Sequence, residues 1–93
     1  MTIGILKLAL FIYNSNSLKE KRMILHSLKA KLRNNFNVAV TQIDDEDKWQ
    51  KATIAIVGAE RDRKNMNSIL SSIINFIEGF DGVDLIDHKI ELI

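Results

Sequence analysis

No cysteine and no proline occur among the 93 residues, and glycine appears only four times. Without cysteine there are no disulfides, no zinc–thiolate or iron–sulfur sites and no thiol nucleophile. Without proline and with so little glycine, turns go almost unmarked, so element boundaries must be read from hydrophobic periodicity. Long apolar stretches are missing too. The longest, residues 8–13, falls far short of the ~20 residues of a membrane helix and lacks the frame of a signal peptide. The expectation is a soluble, cytoplasmic chain with no membrane association. What is present is ordinary for a globular protein: 46% hydrophobic and 27% charged residues, with a net charge of +1. Residues 1–93 read as a single domain. At this size folding buries only ~60–65% of the unfolded surface, which calls for a well-used core or a partner.

Residues 2–13 (TIGILKLALFIY) alternate as a strand, with Leu6, Leu8, Leu10 and Ile12 on one face and Ile5, Lys7, Ala9, Phe11 and Tyr13 on the other. The aliphatic face points to the core. A polar turn at 14–17 leads to a capping box, in which Ser17 accepts from the third helical amide and Glu20 answers the amide of Ser17. A helix over residues 18 to about 33 follows, with Leu18, Ile24, Leu25, Leu28 and Leu32 on one side. Asn34 and Asn35 are the candidate C-caps, since Asn tolerates the left-handed conformation. Residues 36–43 form a second strand, and the short acidic turn 44–47 leads to a third over 50–60, an antiparallel hairpin. A second helix over 64–78 carries Met66, Ile69, Leu70, Ile73, Ile74 and Ile77 at helical spacing and ends near Gly79 and Gly82. A fourth strand covers 83–92. The order βαββαβ with right-handed crossovers predicts an α+β, ferredoxin-like sandwich: a four-stranded antiparallel sheet of order 4-1-3-2 with both helices on one face.

The small net charge conceals polarity. Residues 1–40 hold seven Lys/Arg against Glu20 alone, and residues 41–93 hold six against eleven acidic residues. Within the first helix Arg22, His26, Lys29 and Arg33 follow spacings of 4, 3 and 4, a cationic stripe beside the apolar face. It reads as a solvated flank, as a contact for RNA phosphates, or as an interface with an acidic surface, the turn at 44–47 included. Lys19, Lys21 and Lys31 flank it. Lys21 projects near the middle of the apolar stripe and is expected to snorkel over the end of the sheet, or to share an anion-binding corner with Ser17.

Other chemistry is poorly served. The acidic turn lacks the spacing and central glycine of a calcium loop. His26 and His88 make no ligand set, so no metal or cofactor is expected. No nucleophile stands at a diagnostic distance from a base, so the chain is not expected to be an enzyme or to take a small-molecule substrate. An RNA-recognition motif carries stacking aromatics on its two central strands. Here strand one offers Phe11 and Tyr13, but strand three (KATIAIVGAE) offers none. The single tryptophan, Trp49, is either a plug where the acidic turn enters strand three or a stacking platform.

The run SLKEKRMILHSLKAKLRNNFNVAV followed by DKWQ resembles the YlxP-like family, small bacterial proteins of unassigned biochemical function. The matching residues are Ser17 through Arg22, Leu28, Lys31, Leu32, Arg33, Asn35 through Val38, Asp47, Trp49 and Gln50. The resemblance implies a ferredoxin-like fold. It also implies a link to translation, since genes of the family commonly lie beside those for translation initiation and ribosome maturation factors; it brings no catalytic residues. Two expectations result. One is a binding module for ribosomal RNA or a ribosome-associated surface, gripping through Lys19, Lys21, Arg22, His26, Lys29, Lys31 and Arg33. The other is a homodimeric protein-interaction domain using the open sheet face with Phe11, Tyr13 and Trp49. A homodimer is expected in any case, through that face or through strand two or four, because exposed edges and apolar patches are commonly covered.

Overall fold

The computed structural model describes residues 1–13, 15–44, 48 and 50–93. Its elements are β1 (Thr2–Phe11), α1 (Leu18–Asn35), β2 (Val38–Asp44), β3 (Lys51–Glu60), α2 (Arg63–Glu78) and β4 (Asp84–Leu92). The sheet runs β2-β3-β1-β4 with every neighbouring pair antiparallel. This is the expected ferredoxin-like order, with β1 and β3 central. Leu6, Leu8, Leu10 and Ile12 are fully buried together with Ala52, Ile54 and Ile56 of β3. Across from them α2 contributes Met66, Leu70, Ile73 and Ile77, and α1 contributes Leu25, Leu28 and Leu32. β1 ends two residues earlier than the alternation suggests, because Phe11 pairs with Lys51, the first residue of β3. Ile12 remains buried, and its N–H reaches the Gln50 carbonyl at 2.9 Å.

One close approach sets the seat of α2. Gly4 and Gly58 face each other in the β1–β3 ladder. A Cβ on Gly4 would stand 2.7 Å from Met66 Cγ, and one on Gly58 would stand 3.3 Å from Met66 Cε. The paired glycines are thus a notch for the buried Met66 side chain.

The caps refine the expected boundaries. Ser17 accepts from the Glu20 amide at 3.1 Å, while Glu20 Oε2 accepts from Asn16 at 2.9 Å, one residue before the expected Ser17 amide. Asn34 and Asn35 are not left-handed caps. The helix runs through both and stops at extended Phe36, whose N–H donates to Leu32 O. Asn35 Nδ2 donates to Lys31 O at 2.7 Å, and the Phe36 ring meets Phe76 edge-on at 6.0 Å. That aromatic contact fixes the chain's exit and makes a left-handed turn unnecessary. Helix α2 starts one residue earlier than its periodicity implied, capped by Asp62, which accepts from the Asn65 amide at 2.8 Å.

Candidate nucleic-acid interface

Helix α1 lies against edge strand β2, and its cationic residues divide according to which side of the apolar line they occupy. Lys19, Arg22, His26 and Lys29 line one groove with Met23, Leu25 and Gln42 of β2. Arg33 extends the same flank, and its guanidinium donates to Val40 O of β2 at 3.0 Å. From Lys19 to Arg33 the helix rises by about 21 Å. Lys19, Arg22, His26 and Arg33 are exposed and Lys29 is half-buried. Among the described residues no carboxylate lines this groove. The cations at the start of α1 oppose its dipole and repel one another, each effect worth a few tenths of a kcal/mol. The acidic residues 45–47, an expected internal counter-surface for this stripe, lie outside the described residues.

Two of the seven cations do not join the stripe. Lys21 is only 1% exposed, and its ammonium donates to the Lys48 carbonyl. The snorkelling expectation is therefore corrected. Lys21 continues the core-facing line of Leu25, Leu28 and Leu32, and the Lys48 carbonyl accepts from its buried ammonium. A lysine held this way cannot reach a phosphate. The anion-corner alternative loses its lysine to the same contact, and around it Ser17 Oγ accepts from the Glu20 amide while Ser15 Oγ donates to Ser17 O at 2.8 Å. Lys31 projects from the opposite flank, its Nζ 5.3 Å above the Phe80 ring. It lines a separate apolar groove with Met23, Ile24, Phe76 and Phe80 between the two helices.

The open sheet face is apolar in part. Ladder register puts Ile3, Ile5, Ala39, Val57 and Ala59 at one end of the face. Lys7 interrupts it in the middle and stands opposite Lys89 of β4. Phe11 is half-buried. Tyr13 is a strut as well as a surface residue, its hydroxyl accepting from the Gly82 N–H at 3.1 Å. Trp49, the third residue proposed for this face, lies outside the described residues.

Gln42 was not singled out in the sequence. Its position on the helix side of β2, opposite Ile54, depends on a register that no local pattern reveals. Among the described residues no three His, Cys, Asp or Glu side chains come together as a metal site, and no helix is long and apolar enough to cross a membrane.

An α+β sandwich of this strand order, with a cationic helix flank beside an edge strand, defines the class of protein. Comparison with known proteins then narrows it. The family model described as "Protein of unknown function (DUF503)" matches residues 3–90. "Uncharacterized protein YlxP" of Bacillus subtilis (strain 168) is 30% identical over 82 residues, covering 88% of this chain and 89% of that protein. The chain belongs to this YlxP-like family, DUF503. Among solved structures, "De novo designed protein Foldit4" superimposes with a TM-score of 0.54 at 9% identity, covering all of this chain and 97% of the other, a likeness of fold alone.

Proposed function

We propose that this protein is a non-catalytic, cytoplasmic binding module that holds the phosphate backbone of ribosomal RNA along the α1–β2 groove. The observation that carries this reading is the gathering of Lys19, Arg22, His26, Lys29 and Arg33 on one flank of one helix, with no described carboxylate lining the groove beside them. A phosphate backbone supplies negative charge to a groove whose described lining has none. Because β3 has no aromatic residue, grip by stacking bases on the sheet is unsupported, and Lys and Arg contacts to phosphate position an RNA without selecting its sequence.

The test is a titration of small ribosomal subunits with labelled protein at several salt concentrations. With four or five phosphates neutralised, log K falls against log salt with a slope of about −3 to −4. Arg22→Glu with Lys29→Glu weakens binding across RNA sequences and flattens the slope by about 2. Both positions avoid the hydrogen bond that ties Arg33 to β2. Absence of binding at low salt, or a slope unchanged by the double substitution, refutes the reading.

A further inference from the structure

We infer that β4 pairs with β4 of a second copy of this chain, antiparallel about a two-fold axis at His88, joining two sheets into one of eight strands. This inference is independent of the RNA reading, which concerns the opposite edge of the sheet.

The backbone at this edge is available. Ile3 and Ile93 exchange both of their N–H···O=C bonds, at 3.0 and 2.8 Å. Antiparallel alternation then turns the backbone groups of Glu91, Lys89 and Asp87 toward β1 and those of His88 and Ile90 toward the free edge. The outward N–H of His88 is met by the side chain of its own neighbour, Asp87 Oδ1, at 2.9 Å. A strand opposite would supply a carbonyl in its place and release the Asp87 carboxylate.

The side chains of β4 complement themselves best in this alignment. The segment Ile86-Asp87-His88-Lys89-Ile90 is palindromic in character about His88. Antiparallel pairing centred there sets Asp87 opposite the partner's Lys89, Lys89 opposite the partner's Asp87, and Ile86 opposite the partner's Ile90. Within one copy Lys89 faces Lys7 and Asp87 faces Ala9. Like charges directly opposite are unfavourable and opposite charges favourable; within one copy Lys7 and Asp87 meet only on the diagonal, and the second copy brings each charge a directly opposed partner. Centring the pairing on Asp87 or on Lys89 opposes like charges. Centring it on Ile90 pairs Lys89 with Glu91 but shortens the paired segment and leaves Ile86 outside it.

Exposed apolar surface gathers at the same edge. Ile86 is 60% exposed, Ile90 43% and the adjoining Ile93 66%. The other edge strand, β2 (VAVTQID), holds no basic residue with which to answer an acidic one.

The experiment is sedimentation equilibrium of the full chain from micromolar to millimolar protein, with circular dichroism confirming that each variant is folded. Wild type is expected to approach twice the protomer mass of 10.6 kDa. Lys89→Asp sets Asp against Asp and should raise the dimer dissociation constant about tenfold or more. Asp87→Lys combined with Lys89→Asp restores opposite charges in the His88-centred register only, and should restore the dimer. The chain has no cysteine, so His88→Cys in wild type gives an unambiguous readout: mild oxidation should link two copies, while Ile90→Cys should not. A monomer at all concentrations overturns the inference. So does a dimer indifferent to Lys89→Asp, a double exchange that fails to rescue, or crosslinking through Ile90→Cys alone.

Discussion

Met66 lies fully buried over two facing glycines, and Gly4→Ala forces a methyl into the space its side chain occupies. The added carbon would sit 2.7 Å from Met66 Cγ and 2.8 Å from Sδ, with Cε at 3.0 Å, inside contact distance for three successive atoms. Met66 Cε already sits at the Gly58 side of the notch, 3.3 Å from where a Cβ would stand on that residue, so the side chain must leave its seat to make room. Overpacking of this kind costs ~1–3 kcal/mol, while Ala in place of Gly returns ~0.4–1 kcal/mol by restricting the unfolded chain. The net is a loss of about 1–2 kcal/mol, or a drop in Tm of roughly 5–15 °C for a domain of this size. Met66→Ala alone should cost ~2–5 kcal/mol by leaving a cavity. In that background the Gly4→Ala methyl enters vacated space, and its effect should become neutral or stabilising. Urea unfolding followed by circular dichroism for the four proteins of this cycle measures the coupling, expected at ~1 kcal/mol or more. A stabilising Gly4→Ala, or two substitutions that simply add, would refute the notch and the seat of α2.

Three further outcomes follow from the caps, the core and the strut. Ser17→Ala should cost ~0.5–2 kcal/mol and Ile73→Ala ~2–5 kcal/mol, so thermal melts that rank the cap as the costlier loss would contradict the placement of α2 on the sheet. Tyr13→Phe removes the acceptor of the Gly82 N–H and should cost ~0.5–1.5 kcal/mol, with faster amide exchange at Gly82; unchanged exchange would deny the strut. Lys21→Glu should destabilise the fold severely, because it replaces a buried donor with a buried acceptor facing the Lys48 carbonyl. A Tm within a few degrees of wild type would deny that burial.

The parts of the fold legible in the sequence were those where one simple period governs a whole element. The even residues of β1 and the line Leu25, Leu28, Leu32 could face only the core, and the element order with handedness then left one economical sheet. Local capping was legible at Ser17 but was missed at Asp62, where the same spacing ends on Asn65 and lacks the acidic third residue of a capping box. What escaped depended on neighbours distant in sequence. Asn34 and Asn35 have the chemistry of a helix stop, but the contact of Phe36 with Phe76, forty residues away, set the exit instead. Lys21 sits on the apolar stripe in the sequence, but its acceptor, the Lys48 carbonyl, lies 27 residues away and no local pattern announces it. Lys31 and Lys29 are two residues apart, which places them on opposite flanks of one helix, and only the position of β2 on one side and Phe80 on the other gives the two flanks different surroundings. The edge exposure of Ile86 and Ile90 was equally hidden, since it follows from β4 being outermost in the sheet and from the bulge opposite Ala9 and Leu10.

Whether RNA lies along the α1–β2 groove can be read residue by residue from amide chemical-shift mapping by NMR. A fragment of small-subunit ribosomal RNA is titrated into the protein at low salt, and the shifts are followed again as salt is raised. Perturbations should concentrate at Lys19, Arg22, His26, Lys29 and Arg33 and at Gln42 of β2 and fade together with salt, while the open sheet face around Lys7 and Val57 stays unmoved. Shifts confined to the sheet face, or persisting at high salt, would contradict that placement of the RNA.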